Sequence, residues 1–197
     1  MKQMKRTEII NRLISYCNYK TYLEIGVSKP EDNFDLIKCK FKIGVDPNGK
    51  ANYTGTSDEF FSENELTYDI IFIDGLHEEP QVTKDIYNSL AVLERNGTIV
   101  LHDCLPLVEE HQTEHYNGGV WAGTVWRSNA KIRMTRSDLE LDIVNTDWGC
   151  GILRRGRSEL YSVAPNTVLD YNFFINNASK MFNIISVEEF LRKYLRG

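Results

Sequence analysis

The chain has 197 residues, of which 42% are hydrophobic and 26% charged, with a formal net charge of −5. That length suits one ordinary domain with a sizeable core, and the composition excludes a disordered chain. No apolar run approaches the roughly eighteen residues of a membrane span. The N-terminal MKQMKRTEII has no apolar stretch behind its charges and does not read as a secretory signal. The acidic balance argues against a dedicated nucleic-acid binder. The four cysteines, Cys17, Cys39, Cys104 and Cys150, form no CxxC pair. They fit a reducing cytoplasm rather than a zinc site or a disulfide framework.

In chain order, Ile9, Ile10, Leu13, Ile14 and Cys17 have the spacing of an amphipathic helix over residues 7–19, with Thr7 as its cap. TYLEIGV is a short apolar run ending near Gly26 and reads as a buried strand. Ser28 and Glu31 then have capping-box spacing, with Pro30 in a first helical turn. FKIGVDP is a second strand closed by Asp46, and a short third strand is expected around Asn52–Thr54, before the acidic TSDE and a helix. YDIIFIDG is the clearest strand of all. The helix after it buries Val82, Ile86, Leu90 and Leu93, with Asn96-Gly97 as a left-handed cap. TIVLHDC is a further buried strand. LELDIVNTDWGCGILRRG reads as two strands around Asp147-Trp148-Gly149, an antiparallel hairpin at a sheet edge, with Arg154, Arg155 and Arg157 in a solvated turn. The last forty or so residues look helical.

Strands that are nearly continuous apolar runs, alternating with helices, predict an α/β fold: a doubly wound, mostly parallel sheet with an antiparallel edge hairpin and a helical C-terminal segment. Ligands bind such sheets at the carboxyl ends of the strands, near the topological switch point. Glu24, Gly26 and Ser28 stand where the first strand ends, and a glycine there permits close backbone approach to a ligand. Asp46, twenty residues after Gly26, can accept the hydroxyls of an adenosine ribose. Dinucleotides and S-adenosylmethionine share this geometry, but the G-x-G-x-x-G fingerprint of the former is missing.

YLEIGVSKPEDNF, IGVDP, TSDEFF, YDIIFIDGLHEE, GTIVLHDC and TDWGCGI occur in an order that resembles class I S-adenosylmethionine-dependent methyltransferases. The nearest likeness is to the small bacterial branch with Asp-Gly-x-His and His-Asp signatures. The resemblance covers roughly residues 20–155 of a domain taken as 1–197, with a helical extension from about 165. It implies that Glu24 and Gly26, with Val27 and Ser28 of the same turn, border the methionine moiety. It further implies that Asp46 holds ribose and that Thr56, Ser57 and Asp58 lie near adenine. The first turn departs from the usual pattern, lacking further glycines after Gly26 and carrying Pro30.

Asp74 closes the fourth strand, His102-Asp103 closes the fifth, and His77 sits on the turn between. Neighbouring parallel strands would bring these four together beside a methyl donor. Methyl transfer to a hydroxyl needs the acceptor positioned and deprotonated. One route uses His77 or His102 as base. The other uses Asp74, His102 and Asp103 around a divalent cation, as resembles catechol and certain sugar O-methyltransferases. A histidine ligand suits Mn²⁺ or Fe²⁺ better than Mg²⁺. Cys104 reads as a small buried hydrophobe rather than a nucleophile, and His111 with His115 as part of a solvated loop. Trp121, Trp126 and Trp148 either stack on a sugar or aromatic acceptor or simply pack.

The partner expected is a small-molecule acceptor, a sugar among the candidates, with no nucleic acid and no membrane. Tyr171, Phe173, Phe174, Met181, Phe182 and Ile184–Ile185 cover either the chain's own core or a partner in a homodimer. Three other classes stay open: an NAD-dependent sugar oxidoreductase, a metal-dependent oxygenase on the same fold, and an inactive binding module.

Overall fold

The computed structural model describes residues 3–195. Its strands are β1 (Thr21–Ile25), β2 (Phe41–Asp46), β3 (Tyr53–Thr54), β4 (Tyr68–Ile73), β5 (Leu93–Leu101), β6 (Leu139–Val144), β7 (Cys150–Arg155) and β8 (Ile184–Ile185). The helices are α1 (Arg6–Cys17), α2 (Ser57–Glu63), α3 (Glu79–Val92), α4 (Val125–Thr135), α5 (Tyr171–Met181) and α6 (Val187–Leu195). One eight-stranded sheet runs in the order β3-β2-β1-β4-β5-β7-β6-β8. The first five strands are parallel, and β7 is antiparallel to both β5 and β6. The chain leaves β1 toward β2 and β3, then returns to β4 on the other side of β1. The switch point therefore lies between β1 and β4.

Side chains alternate across the sheet and make two apolar layers. Leu23, Ile25, Ile71, Ile73, Ile99 and Leu101 pack with Phe60, Val82, Ile86, Trp126 and Phe174 of the helices, and with Phe182 just past α5, on one face. Tyr22, Ile70, Phe72, Val100 and Ile152 pack on Ile9, Ile10, Leu13 and Phe190 of α1 and α6 on the other. With a helix layer on each face, the central strands need apolar residues on both sides, which is why they read as unbroken runs. Among the described residues no helix is long and apolar enough to cross a membrane.

Several local expectations are corrected. α1 begins at Arg6 with Lys5 as its uncapping N-cap residue, and the Thr7 hydroxyl instead donates to Asn33 Oδ1 at 2.6 Å. No α-helix follows β1. Ser28 has φ +49°, incompatible with the extended backbone of an N-cap, and the segment forms two short 3₁₀ turns, Pro30–Asp32 and Phe34–Leu36. True capping boxes stand at Thr56/Glu59 and Ser186/Glu189.

Asn96-Gly97 is no helix cap, since α3 ends at Val92 and both residues lie within β5. Gly97 is required there because a Cβ would come within 2.7 Å of the Asp69 carbonyl oxygen. The β6–β7 hairpin forms, but β8 pairs with β6 and takes the sheet edge. Arg154 and Arg155 are not simply solvated. Arg154 lies over the Tyr194 ring and donates to Thr98 Oγ1, while Arg155 donates to the Leu90, Leu93 and Glu94 carbonyls. In the C-terminal segment, Phe174, Met181 and Phe182 are buried in the chain's own core.

Candidate active site

The ladder hydrogen bonds run on past the strands: Gly26 N–H donates to Val45 O (2.9 Å), Asp74 N–H to Ile25 O (2.9 Å) and His102 N–H to Ile73 O (3.1 Å). The residues that close β1, β4 and β5 are thus locked in register. A cavity of about 460 Å³ opens at the switch point, walled by the turn at Gly26 and Ser28, by Asp46, by Ser57 and Asp58, by Asp74 to Leu76, and by Gln81 and Asp85.

Gly26 has φ +88°, and a Cβ there would stand 2.1 Å from the Asp74 carbonyl oxygen. This glycine is demanded first by the close passage of β4 and only secondarily by room for a ligand. Asp46 is buried; its Oδ2 accepts from Ser28 N–H and its Oδ1 from Asn48 N–H, each at 2.8 Å. These two bonds fix the carboxylate and leave acceptor capacity on both oxygens. Ser57 opens α2. Glu24 and Val27 face elsewhere: Glu24 accepts from Tyr22 O–H and from Asn33 Nδ2 (3.0 Å), and Val27 packs in the apolar layer. Burial pushes the Glu24 carboxyl up to about 7, against those hydrogen bonds.

The four residues singled out at the strand ends do converge. His102 Nδ1 is 3.3 Å from Asp74 Oδ1 and 3.1 Å from Asp103 Oδ2. His77 bridges the same two carboxylates, with Nε2 3.3 Å from Asp74 Oδ1 and Nδ1 3.4 Å from Asp103 Oδ2. Burial disfavours charging the imidazoles, yet the surrounding carboxylates win and raise both, His102 strongly. Burial likewise opposes ionising Asp74, but His102 and His77 hold it well below the usual carboxylate range. Asp103 has φ +55°, an uncommon left-handed conformation of the sort that persists at functional sites. It is held by the next residues, since Cys104 N–H donates to Gly149 O (3.1 Å) and Leu105 N–H to Trp148 O (2.8 Å). Cys104 is buried, its thiol pushed up to about 12 by that burial, so it is no nucleophile.

Two partners in this cluster are absent from the sequence reading. Arg6, at the start of α1, places Nε 3.6 Å from Asp74 Oδ2 and Nη1 3.4 Å from Asp147 Oδ2. Asp147 also accepts the Arg6 backbone N–H at 2.8 Å and lies 3.6 Å from His102 Nε2. Asp147 is visible in the sequence only as a turn residue, and nothing there ties it to Arg6, 141 positions away. Trp121 precedes α4 and stacks on His77, centroids 5.1 Å apart at 24°, whereas Trp126 is core. Trp148 meets His111 edge-on. His115 is exposed and paired with Glu78 at 2.7 Å, so the two loop histidines do not share a site.

A divalent cation can be tested against these residues. Ligand atoms of Asp74, His102 and Asp103 all lie within 4.8 Å of one another. His102 Nδ1 is buried and, among the described residues, makes no hydrogen bond despite its two carboxylate neighbours. Such an orphaned imidazole nitrogen between carboxylates fits a borderline ion such as Mn²⁺ or Fe²⁺.

A family model described as a methyltransferase domain matches residues 15–104. No curated protein matches the chain. Among solved structures it is similar to a Staphylococcus aureus protein described as a caffeoyl-CoA O-methyltransferase, at 20% identity and TM-score 0.58, covering 79% of this chain and 86% of that one. It is also similar to a Bacillus cereus O-methyltransferase in complex with SAH, at 10% identity and TM-score 0.55, covering 78% and 82%. A third is the O-methyltransferase TomG of Streptomyces achromogenes in complex with SAM, at 12% identity and TM-score 0.53, covering 75% and 78%. At these identities the likeness speaks for fold: the sheet and its helices have the class I, Rossmann-like methyltransferase architecture.

Proposed function

We propose that this methyltransferase uses S-adenosylmethionine to methylate a hydroxyl of a small molecule, within one domain. The observation that carries the reading is that Asp74 belongs both to the wall of the 460 Å³ cavity and to the His77–His102–Asp103 cluster. A donor held in the cavity would thus present its reacting end to the titratable groups. The backbone of the Gly26–Ser28 turn would receive the amino-acid part, Asp46 would accept the ribose hydroxyls, and Ser57 would border adenine. When bound, the donor supplies a methyl group on a sulfonium, ready for in-line displacement.

The chain's own residues position the acceptor and take its proton. His77 is the better base, with a side chain 17% exposed against 6% for His102 and an anchor on Trp121. Asp74 and Asp103 orient its ring and stabilise the imidazolium that accepts the proton. Those carboxylates raise the His77 pKa above its ordinary value despite burial, so the pH at which it becomes a free base moves upward. Asp74, His102 and Asp103 would hold a divalent ion, whose chemistry is to lower the pKa of a hydroxyl bound to it.

The test is transfer of label from methyl-labelled S-adenosylmethionine to a panel of catechols, simple phenols and sugars, with and without Mn²⁺. Labelled ether product is expected, with a loss of about 10²–10⁴-fold in His77→Ala. Donor binding without label on any hydroxyl acceptor would refute the O-methylation reading. Oxygen consumption with Fe²⁺ and no methyl transfer would redirect it to oxygenation.

A further inference from the structure

The far side of the sheet holds a second hollow. It has a volume of about 470 Å³ and opens beside the first half of β6, where Leu141 and Asp142 line it. β7 is antiparallel to both β5 and β6, so β6 runs the same way as β5. Its first half therefore lies away from the strand ends that carry Asp74 and His102. β8 pairs with β6 at Ile143 and Val144 and stops short of this stretch of the edge.

The acids of the hollow are already balanced. Asp142, 3% exposed, accepts from Lys193 Nζ at 2.5 Å, from the Tyr194 hydroxyl at 2.6 Å and from the Asn183 amide. Glu140 stands opposite Arg154 in the β6–β7 register. What remains is Arg133, Arg157 and Lys180, brought to the hollow by α4, by the segment after β7 and by the end of α5. Arg133 Nε donates to the Met181 carbonyl oxygen at 2.8 Å, which pins the guanidinium and leaves both Nη groups for a ligand. Among the described residues none of these three cations pairs with a carboxylate, although acids outnumber bases in the chain by 28 to 23. A cation in the last turn suits the helix dipole, which accounts for Arg133 and Lys180 taken singly. It does not account for Arg157, which is on no helix, or for three uncompensated charges around one concavity. Gathered cations repel one another, and a hollow focuses their field on an anion.

We propose that this hollow binds the phosphate group of a small molecule, at a site separate from the donor cavity. Arg133 takes two phosphate oxygens with its Nη pair, while Arg157 and Lys180 neutralise the charge. Ser158 and Ser179 add hydroxyls to the same wall. The volume falls within the roughly 300–1,000 Å³ of small-molecule sites, so an organic body attached to the phosphate also fits.

Calorimetric titration of inorganic phosphate, glucose 6-phosphate and glucose into the full chain, at low ionic strength, tests it. A phosphate compound is expected to bind once per chain, and glucose not at all. Tighter binding of the sugar phosphate would assign the hollow to a phosphorylated metabolite, and tighter binding of inorganic phosphate would assign it to the free ion. Arg157→Gln combined with Lys180→Gln should weaken binding at least about tenfold, through lost charge-assisted contacts. Lys38→Gln combined with Lys40→Gln removes the same charge from the stretch before β2 and should leave binding unchanged. All four residues are exposed, so both double variants should melt with the wild type. No binding of either phosphate compound at millimolar concentration overturns the proposal. So does an equal loss in the two double variants, which means net charge alone, or no loss in Arg157→Gln with Lys180→Gln, which means another site.

Discussion

Gly26→Ala probes the joint between the first turn and the β4 strand end. At φ +88° an alanine meets the left-handed penalty of about 1–2 kcal/mol. Its Cβ would also stand 2.1 Å from the Asp74 carbonyl oxygen and 2.5 Å from Gly75 Cα, both backbone atoms, so β4 or the turn must shift. Forcing an extra methyl into packed backbone adds about 1–3 kcal/mol. The total of about 2–5 kcal/mol corresponds to a Tm lowered by roughly 5–15 °C in a chain of this size. Gly118→Ala is the control, because Gly118 has φ +90° but nothing within 4 Å of a Cβ, leaving at most the conformational penalty. Urea unfolding and thermal melting of both variants measure the difference. A Gly26→Ala protein no less stable than Gly118→Ala would refute the close-packing argument.

Glu24, with its carboxyl near 7 when folded, favours the folded state in its neutral form. Its contribution is complete below its unfolded value and is lost as pH rises through about 7, by up to about 3 kcal/mol. Glu24→Gln should flatten the fall in urea-unfolding stability between pH 5 and pH 8.5, and an unchanged slope would count against it. Asp147→Ala removes the acceptor of the Arg6 backbone N–H and the partner of its guanidinium; for this partly exposed pair about 1–3 kcal/mol should be lost in urea unfolding, and none if the contact is idle. The raised pKa of His102 means that Mn²⁺ must displace a proton to bind. Its affinity, read by titration calorimetry, should therefore rise from pH 6 to pH 8 and fall sharply in Asp103→Ala. A pH-independent affinity would place the ion elsewhere.

The sequence makes some of this legible and hides the rest for physical reasons. β4 and the second half of β5 declare themselves because strands covered on both faces are nearly unbroken apolar runs. The same parallel order brings Asp74, His77, His102 and Asp103 together by topology alone. Capping spacing is less informative: Ser28-x-x-Glu31 fails because Ser28 turns left-handed, while Thr56-x-x-Glu59 and Ser186-x-x-Glu189 succeed. Gly97 looks like a helix stop but answers to the backbone of β4, a contact invisible in local sequence. Arg6, Asp147, Gln81 and Asp85 enter the site through tertiary packing, and no local pattern marks them.

The central claim is that the cavity beside Asp46 holds S-adenosylmethionine. Thermal melting with S-adenosylhomocysteine, for wild type and Asp46→Ala, tests it most directly. The account predicts a melting temperature that climbs with ligand concentration in the wild type and an affinity roughly 100-fold weaker in Asp46→Ala, as expected for losing charge-assisted bonds to two hydroxyls. No shift with the sulfur compound at millimolar concentration, alongside a clear shift with NAD(H), would contradict it.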